Sequence, residues 1–216
     1  GSTGFIGSQL CRALVEQGHR VLAFHRSSSS LRGLEGIPGC HEQPALSEVA
    51  GCLEHALGDL NQADTLAAAL QGVEVVFHTA GLTNPGAQPG RLYNVNVEGT
   101  RNLLQAAQAA GVRRVVHTSS VSAMGVPLLG SLPVDENHAW NFTPQDWPYG
   151  YSKYLAEMEV QKAVAAGLDV VIVNPSIVAG AGDLYNGPRS IVARAARRQV
   201  PFAVEGGLNV VHIADV

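Results

Sequence analysis

The 216 residues fit a single domain, whose usual range is roughly 100–200 residues, and a 46% hydrophobic, 15% charged composition describes an ordinary soluble globular chain with a sizeable core. A formal net charge of −4, with basic residues scattered and densest at Arg194, Arg197 and Arg198, gives no electrostatic ground for binding nucleic acid or an acidic membrane. No secretory leader is recognised, and no apolar run approaches the ~18 residues of a membrane helix.

The pattern alternates helix and strand, which argues for an α/β fold, a doubly wound parallel sheet with helices on both faces. Gly1 to Gly7 forms a glycine-spaced turn into a helix carrying Leu10, Ala13, Leu14 and Gln17, ended by Gly18. A strand at Val21–Phe24 is followed by a Ser/Gly/Pro-rich loop, Ser27–Pro44. Leu53–Leu57 reads as a strand and Ala63–Leu70 as a helix. The unbroken apolar run Val73–Thr79 is expected to be a strand buried on both faces. Beyond the loop Gly81–Gly90, one helix is predicted from about Leu92 to Ala110, closed by Gly111. Arg114–Thr118 is the next strand, Val126–Pro148 a long loop, Tyr149–Ala166 a helix, Val170–Val173 a strand and Ile191–Arg198 a further helix. A dinucleotide fingerprint normally follows a strand, so the sheet's first strand is expected to precede Gly1. The chain also stops abruptly in the apolar segment Asn209–Val216 and is expected to extend in both directions. The division expected is 1–178 for the dinucleotide-binding part and 179–216 for the start of the smaller one.

Cys11, Cys40 and Cys52 are odd in number and lack C-x-x-C spacing. They suggest neither a disulfide framework nor a zinc site, and so a reducing cytoplasm. The eight histidines show no H-E-x-x-H or comparable spacing and read as structural or surface residues, with no metal expected.

Gly1, Gly4 and Gly7 stand three apart ahead of a helix, with Phe5 and Ile6 between the last two. Glycine permits the tight turn and close backbone approach to a pyrophosphate, and the helix N-terminus adds N–H donors and partial positive charge. Arg26 closes the second strand of such a sheet. Many NAD-binding sheets carry an acid there, whereas a planar guanidinium suits the 2′-phosphate of NADP; the competing reading is an exposed loop arginine. Asp59, between Gly58 and Leu60, either accepts from an adenine amino group or simply caps a turn. Thr79, Ala80 and Gly81 are small enough to let a flat cofactor lie against the backbone. His78 reads as a packed strand residue.

The strongest signal is Tyr149-Gly150-Tyr151-Ser152-Lys153. Tyr149 and Lys153 are four apart and share a helix face, whereas Tyr151 points elsewhere. A phenol with a pKa of about 10 is a poor acid–base at neutral pH, and an adjacent ammonium is expected to lower it. Lys153 would also hold a nicotinamide ribose. Ser119 and Ser120 end a strand at the carboxyl edge, where sheet enzymes bind ligands, and a hydroxyl there can bond a substrate carbonyl.

With these residues assembled, the chain resembles the extended short-chain dehydrogenase/reductase family over nearly its full length. The likeness runs through the glycine turn, Gly58-Asp59-Leu60, Phe77-His78-Thr79-Ala80, Asn96-Val97-Glu98-Gly99-Thr100, Thr118-Ser119-Ser120, Tyr149 to Lys153 and Asn174-Pro175-Ser176. The resemblance implies a Rossmann fold in which Ser120 orients the carbonyl, Tyr149 transfers the proton and Lys153 assists, with Asn96 and Pro175 near the nicotinamide. His25-Arg26-Ser27 and Gly206 to His212 are most similar to the dihydroflavonol-reductase-like branch.

The reaction implied is NADP-dependent reduction of a carbonyl, or oxidation of the corresponding alcohol. A nucleotide-sugar epimerase with tightly bound NAD is the enzymatic alternative. A 4,6-dehydratase is disfavoured because similar enzymes carry Asp-Glu where Val121 and Ser122 stand. A cofactor-sensing module without chemistry is disfavoured by the presence of Tyr149 and Lys153. Trp140, Phe142 and Trp147 either line a substrate site or pack together, and the helices starting near Leu92 and Tyr149 are those that would pair in a homodimer.

Overall fold

The computed structural model describes residues 1–40, 51–84, 86–127, 134–182, 191–199, 207 and 209–216. The ends of the loops predicted at Ser27–Pro44 and Val126–Pro148 are described but residues 41–44 and 128–133 are not, and Gly206 and Leu208 also lie outside the described residues. In chain order the elements are α1 (Phe5–Glu16), β1 (Arg20–His25), β2 (Cys52–Leu57), α2 (Ala63–Ala69), β3 (Val75–His78), α3 (Pro89–Tyr93), α4 (Gly99–Ala109), β4 (Arg114–Thr118), α5 (Pro148–Ala165), β5 (Val170–Val173), β6 (Ile177–Ala179), α6 (Ile191–Ala196) and β7 (Val210–His212).

These elements form two compact units. One comprises Gly1–Ala23, Ser28–His55 and Ser176–Val216; the other comprises Phe24–Ser27 and Ala56–Pro175. The strands pair in three groups, β1 with β2, β3-β4-β5, and β6 with β7. β4 runs parallel to both β3 and β5, with His78 opposite His117 and Thr118 opposite Val173.

In the larger unit Leu66, Leu70, Leu103, Leu104, Ala107, Val115 and Val160 form the core, so α2, α4 and α5 share the apolar layer against β4. The expected two-sided burial of the run Val73–Thr79 does not hold. Val76 packs on this core and His78 is buried, but Phe77, on the opposite face of β3, is 40% exposed. Alternation along a strand separates these residues, and composition alone cannot report which faces are covered. Gly111 turns the chain after α4 with φ +71°, as Gly18 does after α1 with φ +88°, a backbone conformation costly for residues with a Cβ.

The predicted single helix from Leu92 to Ala110 also needs correction. It starts earlier, at Pro89, and is interrupted by one π-helical turn, Asn94–Glu98, before α4 resumes. Such a turn holds an extra residue in the ladder and is often found at functional sites. Hydrophobic spacing on either side hides it, because the apolar face is preserved.

The smaller core is Cys11, Val15, Ala23, Leu34 and Leu53, with Val21 and Ile37 against it. Here the cysteine expectation fails. Cys40 and Cys52 form a disulfide, with Cα atoms 4.8 Å apart, leaving Cys11 buried and free. Parallel bridging of Gly39 to Leu53 sets the two cysteine backbones side by side, a contact that sequence separation does not reveal. The pairing removes the cysteine-based ground for a reducing compartment. No helix among the described residues is long and apolar enough to cross a membrane.

Candidate active site

β4 leads straight into the site. Its parallel ladder to β5 continues past Thr118, with Ser119 N donating to Val173 O at 2.8 Å and Val121 N to Pro175 O at 3.2 Å. Ser120 is extended (φ −165°, ψ 150°) and caps the 3-10 turn Val121–Met124, its Oγ accepting from Ser122 N at 3.2 Å. Onto this turn comes the start of α5. Pro148 occupies the first helical turn, where its missing N–H costs nothing. A Cβ at Gly150 would lie 2.8 Å from the Trp147 ring and 2.9 Å from Ser122 O, so only glycine allows this approach.

The approach brings the Tyr149 side chain under the influence of the Ser120 side chain. Burial pushes the Tyr149 phenol above its ordinary value, and the Ser120 side chain acts in the opposite direction. The sequence-based expectation of a phenol lowered by Lys153 is therefore corrected. The reason is where the lysine points: Lys153 Nζ donates to Thr118 O at 2.9 Å. Lys153 is itself 5% exposed, and burial lowers its pKa to about 8, with Glu157 opposing the shift. Taking an ammonium out of water favours its neutral form.

Asn96 lies in the π turn and is 2% exposed. Its Oδ1 accepts from Leu82 N at 2.7 Å, and its Nδ2 donates to Leu82 O at 3.1 Å and to Ser152 Oγ at 2.9 Å. Ser152 in turn donates to Tyr149 O at 2.7 Å. The loop after β3 and the first turn of α5 are thus held by one amide. Below it Thr100 Oγ1 donates to Asn96 O at 2.6 Å and meets His78 Nε2 at 2.9 Å. The His78 and His117 rings meet at a tilt of 43° with centroids 5.1 Å apart, and burial first, then Lys153, holds His117 neutral with a pKa of about 3. His78 is driven well below its ordinary range by burial, in keeping with a packed residue.

Sequence reasoning gave no roles to Ser152, Thr100, His117, Glu157 or Asn174. Ser152 and Thr100 stood inside quoted motifs, so a signal existed. His117 and Glu157 are ordinary members of a strand and a helix, and nothing in their spacing marks them.

The remaining sequence-predicted residues are placed as follows. Gly1, Gly4, Phe5, Ile6 and Gly7 belong to the smaller unit, where Gly4 N donates to Gly1 O at 2.9 Å and a Cβ at Gly4 would stand 3.2 Å from that oxygen. Gly4 caps α1 without a side-chain hydrogen bond, and no acidic residue lies in the helix's first turn. This tight turn ahead of an N-terminus of twelve-residue α1 fits a pyrophosphate. Arg26 is exposed just past β1. Asp59 makes a turn, its Oδ1 accepting from Asn61 N at 2.9 Å, while the N-cap of α2 is Gln62. Leu60 packs on the larger core and accepts from Asn102 Nδ2 at 3.0 Å. Thr79, Ala80 and Gly81 follow β3, with Gly81 beside Asn96.

Trp140, Phe142 and Trp147 pack as an aromatic group rather than standing apart. Trp140 stacks on Tyr154 at 5.4 Å and lies 5.8 Å from Tyr151, which also meets Tyr93 at 6.2 Å. Phe142 and Trp147 meet edge to face at 5.6 Å. Tyr151 is thereby part of this group.

A family model described as the NAD dependent epimerase/dehydratase family matches residues 1–210. Among curated proteins the chain is 39% identical over its whole length to a Synechocystis protein named as a dihydroflavonol 4-reductase, of which it covers 59%. It is 36% identical to sterol demethylase protein B of Methylococcus capsulatus and covers 62% of it. It is 34% identical to a 4-hydroxy-2-methyl-3-oxo-4-farnesyl-3,4-dihydroquinoline-1-oxide ketoreductase of Stigmatella aurantiaca and covers 60% of it. The chain therefore spans about 60% of the length of these relatives. Among solved structures, gox2253 aligns with a TM-score of 0.80 and 36% identity over 99% of this chain and 61% of that one. MoeE5, solved with UDP-glucose and NAD, aligns with a TM-score of 0.71 and 29% identity over 100% of this chain and 67% of that one.

Proposed function

The chain belongs to the NAD-dependent epimerase/dehydratase family, and from that premise we propose that the protein is an NADP-dependent oxidoreductase that reduces a small-molecule ketone or aldehyde, or oxidises the matching alcohol. The observation that carries this reading is the packing of the start of α5 on the Ser120 turn at Gly150, with Tyr149 beside that glycine and Lys153 one helical turn on. A bound nicotinamide would supply the hydride chemistry, and these residues would hold it. Ser120 orients the substrate oxygen, Tyr149 gives or takes its proton, and Lys153 provides positive charge beside them. Burial keeps Tyr149 in its phenol form, which is the form that donates.

In this proposal the turn Gly1 to Gly7 receives the pyrophosphate and Thr79, Ala80 and Gly81 offer a flat wall. Asp59 and Leu60 lie toward the adenine, and Asn96 and Pro175 toward the nicotinamide. Residues 1–178 form the dinucleotide-binding part and 179–216 begin the substrate-binding part. A homodimer through the helices starting at Pro89 and Pro148 belongs to the same reading.

Arg26 selects NADP in this scheme, because its exposed guanidinium at the end of β1 matches a phosphate with paired hydrogen bonds. Arg26→Ala is expected to weaken NADP binding by roughly 1.5–3 kcal/mol, the worth of hydrogen bonds to charged groups, while NAD binding changes little. Titrating both cofactors against the full-length wild type and variant checks this, and equal losses for the two would remove the assignment.

The epimerase reading is favoured by the relatives solved with UDP-sugars and NAD. The two reactions separate in one assay. A reductase consumes NADPH in proportion to carbonyl added, whereas an epimerase interconverts UDP-sugars with no net change in cofactor.

A further inference from the structure

Asn174 follows β5 and makes two contacts with one amide nitrogen. Its Nδ2 donates to Ser120 O at 3.1 Å and to Glu157 Oε1 at 2.7 Å. Glu157 lies four residues past Lys153 on α5, and so on the same face of the helix. One side chain from the sheet edge therefore reaches both the strand carrying Ser120 and the helix carrying Tyr149 and Lys153.

What needs support there is the ammonium. Lys153 is 5% exposed and donates to a carbonyl, Thr118 O, and a neutral acceptor does not balance a buried charge. The ionisable groups acting on it come from each packed element. His117 on β4 and His78 on β3 are both kept neutral by burial and supply no negative charge. Tyr149 on its own helix is held as a phenol. Glu157 is left as the carboxylate that opposes the loss of the lysine's proton. Among the described residues Glu157 forms no ion pair within 4.0 Å and so acts on Lys153 from one helical turn away rather than by contact, whereas Glu159, two positions on, is taken up by Arg101 and Lys162.

We propose that Glu157, aimed by Asn174, is the counter-charge of the buried Lys153 ammonium, and that Asn174 fixes the Ser120 backbone through the same amide. Both are positioning residues. The inference rests on the Ser120–Tyr149–Lys153 reading for its catalytic consequence, but its electrostatic content stands apart from turnover.

That separation defines the experiment. The 216-residue sequence holds two lysines, Lys153 and Lys162. Full-length protein labelled with [13Cε]lysine is titrated by NMR, and the Lys153 resonance is identified by its loss in Lys153→Arg. Glu157→Gln should move the Lys153 midpoint to lower pH, since a removed negative charge destabilises the ammonium, and should leave Lys162 in place. Asn174→Ala should move it in the same direction by less, and Glu157→Asp should restore part of the shift. With NADPH and an activated aromatic ketone as probe, Glu157→Gln should lower kcat while the KM for NADPH stays within about twofold, since neither residue is assigned to cofactor binding. An unchanged Lys153 midpoint in a folded Glu157→Gln protein overturns the proposal, as does an equal displacement of Lys162. Should Glu157→Gln not fold, Asn174→Ala and Glu157→Asp carry the same test with the same two outcomes. Full activity in Tyr149→Phe would instead remove the catalytic reading, and the lysine midpoints would still decide the role of Glu157.

Discussion

Tyr149→Phe is expected to lower turnover by about 10²–10⁴, the usual contribution of a positioned acid or base, with cofactor affinity preserved. The substitution keeps the ring in its place beside Gly150 and removes the hydroxyl whose pKa the Ser120 side chain lowers. Ser120 Oγ retains its bond from Ser122 N, so the strand end and its turn should hold. Tyr151→Phe is the control. Its ring meets Tyr93, Trp140 and Tyr154 through its faces and edges, contacts that phenylalanine can also make, so turnover should change little. The measurement is steady-state reduction of a turned-over carbonyl by the full-length protein, alongside NADPH binding followed by fluorescence. Full activity in Tyr149→Phe would transfer the proton to another group, and a large loss in Tyr151→Phe would point to that group.

The same pair of tyrosines shows what the sequence could and could not carry. Four-residue spacing places Tyr149 and Lys153 on one helix face wherever the helix lies, so their kinship was legible from local geometry alone. What the lysine does with its ammonium was not legible, because its acceptor, Thr118 O, is 35 positions away. The spacing suggested that Lys153 lowers the Tyr149 pKa; tertiary burial instead raises it. Helix and strand positions followed the apolar periodicity closely at α2, β4 and β5, where a local pattern decides the element. The π turn at Asn94–Glu98 escaped because inserting one residue leaves apolar spacing intact on both sides. The Cys40–Cys52 bond escaped for a related reason. Its geometry is set by the isolated bridge between Gly39, outside any strand, and Leu53 of β2, which is a pairing and not a spacing. The role of Asn174 is not legible in its motif, since its two acceptors, Ser120 O and Glu157, are 54 and 17 residues away.

Asn96→Leu should cost about 2–4 kcal/mol of folding stability, the consequence of leaving buried polar groups without partners. Leucine matches the amide roughly in shape but can neither accept from Leu82 N nor donate to Leu82 O and Ser152 Oγ. Leu82 is half-buried, so water can partly satisfy its backbone; Ser152 is 0% exposed and has no such recourse. Its hydroxyl still donates to Tyr149 O, leaving the acceptor side as the orphan. Ser152→Ala alone should cost less, about 1 kcal/mol, because it removes one hydrogen bond of ordinary worth and Asn96 Nδ2 keeps Leu82 O. The double variant is the informative one. If Asn96 and Ser152 act as one hydrogen-bonded unit, removing the serine hydroxyl also removes the orphan that Asn96→Leu creates. The two losses should then sum to more than the double variant shows, by at least about 0.5 kcal/mol, the lower end for residues in contact. Equilibrium unfolding of the full-length protein in urea, with slopes compared across the four proteins, gives all the terms. Strict additivity would mean that Asn96 supports only the loop at Leu82 and that the first turn of α5 holds Tyr149 unaided. In that case the π turn serves the loop after β3 and not the tyrosine.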